Sequence, residues 1–144
     1  MKKLLFISLI LLIIVILIAL IAKTTRTARI SLGNKIIMAE IADNDMKRTR
    51  GLSNRKSLDN NRGMLFNFPK SDVYRFWMKN TLIPLDIIWI ENNQIVDMIS
   101  LQPQSGFSIP DYTPKSPATF VLEVNAGFIK ENDIKIGDKI KIEI

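Results

Sequence analysis

Residues 76–90 read Phe-Trp-Met-Lys-Asn-Thr-Leu-Ile-Pro-Leu-Asp-Ile-Ile-Trp-Ile, and the rest of the chain is organised around this stretch. It contains a short strand, a bend around Pro84, and a second strand that is apolar on both faces. A strand with no polar face is typical of the centre of a sheet. Because proline has a fixed φ, we predict a rigid bend over residues 80–85.

Strand signals continue on both sides of this stretch. Before it, two apolar runs flank Gly33-Asn34, a pair that favours a tight hairpin turn because glycine accepts a positive φ. After it, Asn92-Asn93 separates two apolar runs, and asparagine also tolerates a left-handed backbone. Further strand-like runs occupy residues 64–68, 73–78, 119–124 and 134–144. Short helical segments are predicted at residues 43–51, with Asp43 as the N-cap, and at residues 128–133.

These elements predict an α+β fold that is mostly β. We expect a small antiparallel barrel-like or sandwich domain with one or two short helices. A parallel βαβ arrangement is disfavoured, because no segment between strands has the length and apolar stripe of a crossover helix. Residues 102–117 are rich in proline and serine and lack periodicity, which is typical of a functional or disordered loop.

The N-terminus predicts a separate element. Lys2 and Lys3 precede an apolar run over residues 4–22, which as a helix would be roughly 28 Å long and close to the thickness of a bilayer core. We therefore predict an N-terminal transmembrane signal anchor at residues 1–22, a polar stalk at 23–29 and one globular domain at 30–144. The domain would lie outside the cytoplasm at the cell membrane. The alternative is a secreted protein with a cleaved signal, although bulky Leu20 occupies a position where cleavage needs a small residue.

Composition restricts the chemistry. The formal net charge is +6, and the chain has neither histidine nor cysteine. Disulfides, thiolate metal sites and the commonest general base are therefore excluded, and we expect neither a metal nor a cofactor. The modest charge and the lack of a recognisable module argue against nucleic acid as a partner.

Several residues are candidates for a binding site. Strand alternation puts Trp77 and Lys79 on one side, where a cation–π contact could form. Glu123 lies in an apolar strand, so burial would raise its pKa and suit it to acid–base work, unless it pairs with Lys79 or Arg55. Asn80 and Asp86 either line a pocket or lock the bend through backbone hydrogen bonds. Asp86 and Glu123 together could also form a two-carboxylate hydrolytic pair.

The sequence resembles the bacterial and archaeal domain of unknown function family number 192 from about Ile36 to Ile142. The blocks that carry the resemblance are Arg50-Gly51-Leu52 with Arg55, Gly63-Met64-Leu65-Phe66 with Phe68, Phe76-Trp77-Met78-Lys79-Asn80-Thr81, Pro84-Leu85-Asp86-Ile87, Tyr112, Leu122-Glu123-Val124-Asn125-Ala126-Gly127 and Ile136-Gly137-Asp138. The resemblance implies a small β-rich, barrel-like domain, commonly exported, with no assigned activity, and it adds Tyr112 to the candidate residues. Ser53 departs from the usual methionine. The cysteine pair that some members carry in the long loop is absent here, so no metal or redox role built on it is expected.

Two hypotheses about function remain open. The first is a module at the cell envelope that binds a small ligand or a protein segment between the 77–86 bend and the 102–117 loop. The second is a hydrolytic enzyme in which Glu123 or Asp86 is the general acid or base.

Overall fold

The computed structural model describes residues 2–22, 26–104 and 110–144. The elements in chain order are α1 (Lys2–Ala22), β1 (Thr27–Leu32), β2 (Lys35–Ala42), α2 (Asp45–Arg50), β3 (Arg62–Asp72), β4 (Phe76–Trp77), β5 (Leu85–Glu91), β6 (Gln94–Leu101), β7 (Asp111–Tyr112), β8 (Ala118–Asn125), α3 (Phe128–Glu131) and β9 (Ile140–Glu143). The predicted hairpins at Gly33-Asn34 and Asn92-Asn93 are both confirmed as antiparallel pairs, β1–β2 and β5–β6.

Seven of the strands form one sheet in the order β6-β5-β8-β3-β2-β1-β9. β2 and β3 pair in parallel, whereas the other neighbours in the sheet are antiparallel. The prediction of an antiparallel domain is therefore wrong at this pair. The crossover needs no long helix, because the short helix α2 and the loop that follows it return the chain to the same end of the sheet.

The two edges of this sheet meet at one end. Gln94 at the start of β6 forms a bridge with Lys139, which immediately precedes β9. The amide of Ile95 donates to the carbonyl of Asp138 at 3.0 Å, and the amide of Ile140 donates to the carbonyl of Asn93 at 2.9 Å. The sheet therefore curls into a partly closed barrel, and the mostly β, α+β class is observed.

Apolar side chains fill both faces of the central strands. Ile88 and Ile90 of β5 belong to a core shared by strands from the whole sheet, which we call the barrel core. Ile87 and Trp89 point to the opposite face, into a second cluster that we call the outer core. Because both faces are covered, every residue from Leu85 to Ile90 is buried, as predicted for a central strand.

Several element boundaries differ from those predicted. Asn44 rather than Asp43 caps α2, because its side chain accepts from the amide of Lys47 at 3.0 Å. The strand predicted at 64–68 is longer, since β3 continues to Asp72, and the predicted strand at 73–78 is reduced to β4. β4 pairs with β7 in a separate two-stranded sheet, so the long loop contains a short strand. Residues 105–109 of that loop lie outside the described residues.

The prediction of an N-terminal transmembrane helix at residues 1–22 needs correction. Across the described part of the chain, no helix has the length and apolarity that crossing a membrane demands. On this finding the predicted transmembrane helix is wrong. Part of the predicted stalk lies in β1, and residues 23–25 of it lie outside the described residues. An extracytoplasmic location stays a prediction.

Candidate functional site

A cleft with a volume of about 180 Å³ opens against the outer core, between α2 and the segment that contains β4. We call it the Glu123 cleft. Five aromatic side chains form its walls, four basic side chains surround it, and one carboxyl lies at its base. These residues are Phe66, Phe68, Tyr74, Phe76 and Trp77; Arg48, Arg50, Arg75 and Lys79; and Glu123.

Glu123 is the buried acid of this cleft. It lies on β8 opposite Met64 of β3 and Ile87 of β5, and only 5% of its surface is exposed. Its Oε2 atom is fully buried and has no hydrogen-bond partner among the described residues. Burial raises the pKa of Glu123 to about 8, and the positive charge of Arg55 offsets only part of that rise. The carboxyl is therefore predominantly neutral at pH 7.

Gly51 allows the backbone after α2 to approach this carboxyl. Its φ is +49°, a conformation that side chains disfavour. A Cβ atom at this position would lie 3.4 Å from the ring of Phe66 and 3.8 Å from Oε2 of Glu123. Gly51, the C-cap of α2, therefore also keeps a side chain away from the acid.

The aromatic walls are packed against one another. The rings of Phe68 and Tyr74 are stacked with centroids 3.5 Å apart, and Phe66 and Phe76 meet edge to face at 4.8 Å. Trp77 is 50% exposed and leaves an aromatic surface open at the cleft. The walls therefore offer a ligand an apolar, largely preformed surface.

The basic side chains around the cleft differ in how firmly they are held. Arg48 donates to the carbonyl of Asn67 and to Asp45, and lies 5.3 Å above the Phe68 ring. Arg75 forms an ion pair of 3.5 Å with Asp111. By contrast, the exposed side chains of Arg50 and Lys79 make no hydrogen bond or close ion pair within the described ranges. These two cations are available to a ligand.

Arg55 does not form the ion pair with Glu123 that was one of the alternatives from the sequence. Its guanidinium donates two hydrogen bonds to the Glu40 carboxylate, at 2.5 and 2.6 Å. The same contact lowers the pKa of Glu40. Arg55 therefore influences Glu123 only through its charge, and it does not line the Glu123 cleft.

Asp86 is separated from Glu123 by the sheet itself. Asp86 lies opposite Val124 and Glu123 opposite Ile87, so the register sends the two carboxyls to opposite faces. Asp86 is fully buried and accepts from the Ser100 hydroxyl at 2.5 Å and the Ile129 amide at 2.7 Å. The hypothesis of a hydrolytic pair is therefore wrong, and Asp86 connects β5 to β6 and α3.

We expect Asp86→Ala to lower the free energy of unfolding by roughly 2–3 kcal/mol, because it removes a fully buried side chain that accepts two hydrogen bonds. The measurement is urea unfolding of the full chain. Asp111→Ala, which removes an exposed carboxylate, is the control and should cost less than about 1 kcal/mol. A similar loss in both variants would contradict the structural role of Asp86.

Two other candidate residues lie beside the cleft without lining it. Asn80 has a φ of +57° and its carbonyl accepts from the Asn54 amide at 2.8 Å, so it fixes the bend. Tyr112 donates to Asp97 at 3.2 Å, and burial is the main cause of its raised pKa. Phe66 and Phe68 also line the cleft. The apolar run over residues 64–68 predicted that they lie in a strand, but it did not indicate that they belong to a site.

No set of three or more acidic side chains that could hold a metal ion occurs in the part of the chain that the structure describes. The arrangement consists instead of a buried acid, aromatic walls and two exposed cations whose side chains make no close contact among the described residues. Together with the fold, it defines a class of small, partly closed β barrels with an aromatic cleft above a buried carboxyl.

Comparison with known proteins gives the family. The DUF192 family model, described as "Uncharacterized ACR", matches residues 27–142, and the chain belongs to this family. It is 29% identical to a UPF0127 protein of Thermococcus gammatolerans, with coverage of 73% of this chain and 66% of that protein. It is 28% identical to a UPF0127 protein of Pyrococcus furiosus, with coverage of 78% and 93%. The chain thus spans slightly less than two thirds of the Thermococcus protein.

Two crystal structures share the fold. One is a Sinorhizobium meliloti 1021 protein described as a candidate transcription regulator, at 30% identity and a TM-score of 0.70, covering 81% of this chain and 92% of that one. The other is a protein of unknown function from Novosphingobium aromaticivorans, at 27% identity and a TM-score of 0.69, covering 81% and 84%.

Proposed function

We propose that the protein is a binding module that takes a small anionic ligand in the Glu123 cleft. The observation that carries the proposal is the buried Oε2 of Glu123, which has no hydrogen-bond partner in the part of the chain that the structure describes. Buried polar atoms in proteins nearly always have a hydrogen-bond partner, and leaving one without a partner costs about 1–3 kcal/mol. A ligand that supplies the partner recovers part of this cost.

The positive charge around the cleft favours a ligand that carries a negative charge. Arg50 and Lys79 are exposed and unpaired within the described residues, and Arg48 and Arg75 add positive charge nearby. A neutral Glu123 does not oppose this field. Cationic surroundings of this kind attract an anion and increase its rate of association.

The volume of the cleft limits the size of the ligand. At about 180 Å³ it is smaller than the roughly 300–1,000 Å³ of sites for drug-sized molecules. A single ring with small substituents suits this volume, and its faces would contact Trp77 and the other aromatic walls.

The test is titration of the full chain with benzoate, followed by NMR chemical shifts. We expect shifts at the cleft, and a loss of affinity of about fivefold in both Arg50→Ala and Lys79→Ala. Lys139→Ala is the matched control, because it removes an exposed lysine that lies away from the cleft. Lys139 lies where its bridge with Gln94 joins the two edges of the sheet, a place that we call the barrel seam. If benzoate causes no shifts at the cleft, or if Lys139→Ala weakens binding equally, the proposal fails.

A second candidate function is hydrolysis with Glu123 as general acid. It is favoured by the pKa of about 8, because a general acid works best with a pKa near the working pH. The test is a screen of nitrophenyl esters and glycosides. Turnover that Glu123→Gln abolishes without loss of fold would favour an enzyme, whereas binding without turnover would favour the module.

A further inference from the structure

We infer that the buried end of the ligand is an uncharged hydrogen-bond acceptor that binds the protonated Glu123 carboxyl, while the anionic end meets Arg50 and Lys79. This inference rests on the proposed function and assigns the chemistry of the ligand at each end of the cleft. The class it defines is a small ring that carries an acid group and, on its far side, a carbonyl or a similar acceptor.

The groups around Glu123 determine whether its carboxyl is protonated and can therefore donate a hydrogen bond. The neighbouring strands place apolar Met64 and Ile87 directly opposite it. The charged and titratable groups that face it from α2, the following loop and the β4 segment are Arg48, Arg50, Arg55 with its partner Glu40, Tyr74, Arg75 and Lys79. Of the cations, only Arg55 lowers the pKa of Glu123, so burial remains dominant and the acid keeps its proton.

A protonated carboxyl offers one O–H donor, which an ionised carboxylate lacks. A carbonyl oxygen at the buried end of the ligand would satisfy this donor without any change in charge. The gain is greatest where water is excluded, as at Oε2 of Glu123.

An ammonium group at the buried end fits less well. It would have to pass the cations around the cleft, and only an ionised Glu123 would balance its charge in these apolar surroundings. The desolvation of a buried ion pair commonly offsets the attraction between its charges. The same cations favour an acid group at the open end of the ligand, where Arg50 and Lys79 are solvated and free to move.

Three probes on one scaffold separate these possibilities: 4-acetylbenzoate, 4-(aminomethyl)benzoate and 4-methylbenzoate. They keep the ring and the acid group and change only the opposite end to an acceptor, a cation or an apolar group. At about pH 6.5, we expect the acetyl probe to bind the full chain about fivefold more tightly than the methyl probe, the gain from one buried hydrogen bond.

The pH profile tests the role of the proton. Above about pH 9, Glu123 is ionised and repels an acceptor, so the advantage of the acetyl probe should disappear. In Glu123→Gln the amide N–H replaces the acid O–H, so the advantage should persist and become independent of pH. In Glu123→Leu it should be absent at every pH, with tryptophan fluorescence checking that the variant is folded.

The outcomes distinguish the inference from the proposed function. If none of the three probes binds, the proposed function itself fails. If all three bind equally, or if the acetyl advantage has the same pH profile in the wild type and in Glu123→Gln, the inference is overturned and the module stands. Tighter binding of the aminomethyl probe would show that the base of the cleft takes a cation, which also overturns the inference.

Discussion

Trp89→Ala is expected to lower the free energy of unfolding by roughly 3–5 kcal/mol, the range for truncating a buried aromatic side chain. Trp89 is fully buried at the centre of the outer core. Its indole N–H donates to the carbonyl of Tyr74 at 3.0 Å, and its ring contacts Phe76 edge to face and Tyr112 at a tilt, with centroids 5.6 and 5.3 Å away. The substitution therefore leaves a cavity and an unpaired carbonyl.

Urea unfolding of the full chain, followed by circular dichroism, measures this loss. Trp77→Ala is the matched control: it removes the same side chain from a half-exposed position and should cost less than about 2 kcal/mol. Trp89→Phe keeps a ring but loses the indole donor, so we expect an intermediate cost. Equal losses at positions 77 and 89 would contradict the assignment of Trp89 to the centre of the outer core.

Trp89 also supports the Glu123 cleft from below. Phe76 lies between Trp89 and Phe66, and both phenylalanines line the cleft. Phe76 belongs to the two-stranded sheet of β4 and β7, and its cross-strand partner Tyr112 also packs against Trp89. Truncation of Trp89 is therefore expected to disturb the aromatic walls of the Glu123 cleft, although Trp89 does not line the cleft itself.

Local features of the sequence were sufficient to predict the central strand and the hairpins. Residues 85–90 are almost entirely apolar, which indicates burial on both faces. Gly33, Asn92 and Asn93 all have a positive φ, so the turn residues carry the conformational signal themselves. Such features depend on a few consecutive residues, and a single sequence contains them.

The parallel pair and the barrel seam depend on distant contacts and could not be predicted in the same way. β2 reaches β3 through the short helix α2 and an irregular loop, and neither has an apolar stripe that marks a crossover. The seam joins Gln94 to Lys139, residues that are far apart in the chain. The position of such a contact follows from the curvature of the whole sheet rather than from any local pattern.

The same distinction between local features and distant contacts applies to the Glu123 cleft. Three of the predicted candidates line the cleft: Trp77, Lys79 and Glu123. Alternation along one strand indicated that Trp77 and Lys79 share a side, and the apolar neighbours of Glu123 indicated its burial. Asp86 and Glu123 lie on different strands, and the faces they occupy follow from the register, which a single sequence does not reveal. Arg50 comes from α2, so its place beside the cleft also required the structure.

The buried acid of the cleft is expected to make the stability of the protein depend on pH. In the folded state the pKa of Glu123 is about 8, whereas its ordinary value is 4.5. Between these values the unfolded carboxyl is ionised and the folded one is protonated, so folding takes up a proton. The free energy of unfolding should therefore fall as the pH rises from 4.5 to about 8, and this contribution should level off above that.

Glu123→Gln removes the titrating group and keeps the shape of the side chain. We expect the variant to match the wild type near pH 4.5 and to exceed its free energy of unfolding by a few kcal/mol near pH 9. Glu40 and Asp43 have lowered pKa values because of Arg55 and Lys47, so their contributions are lost only below about pH 4.5 and lie outside this window.

Urea unfolding of both proteins at several pH values in this window measures the difference. Glu131→Gln, which neutralises an exposed carboxylate, should retain the pH profile of the wild type. Parallel profiles for the wild type and Glu123→Gln would mean that Glu123 is already ionised in the folded protein. The acid at the base of the cleft could then accept hydrogen bonds but could not donate one. Stability alone, measured without any ligand, therefore tests the protonation state on which binding of an acceptor depends.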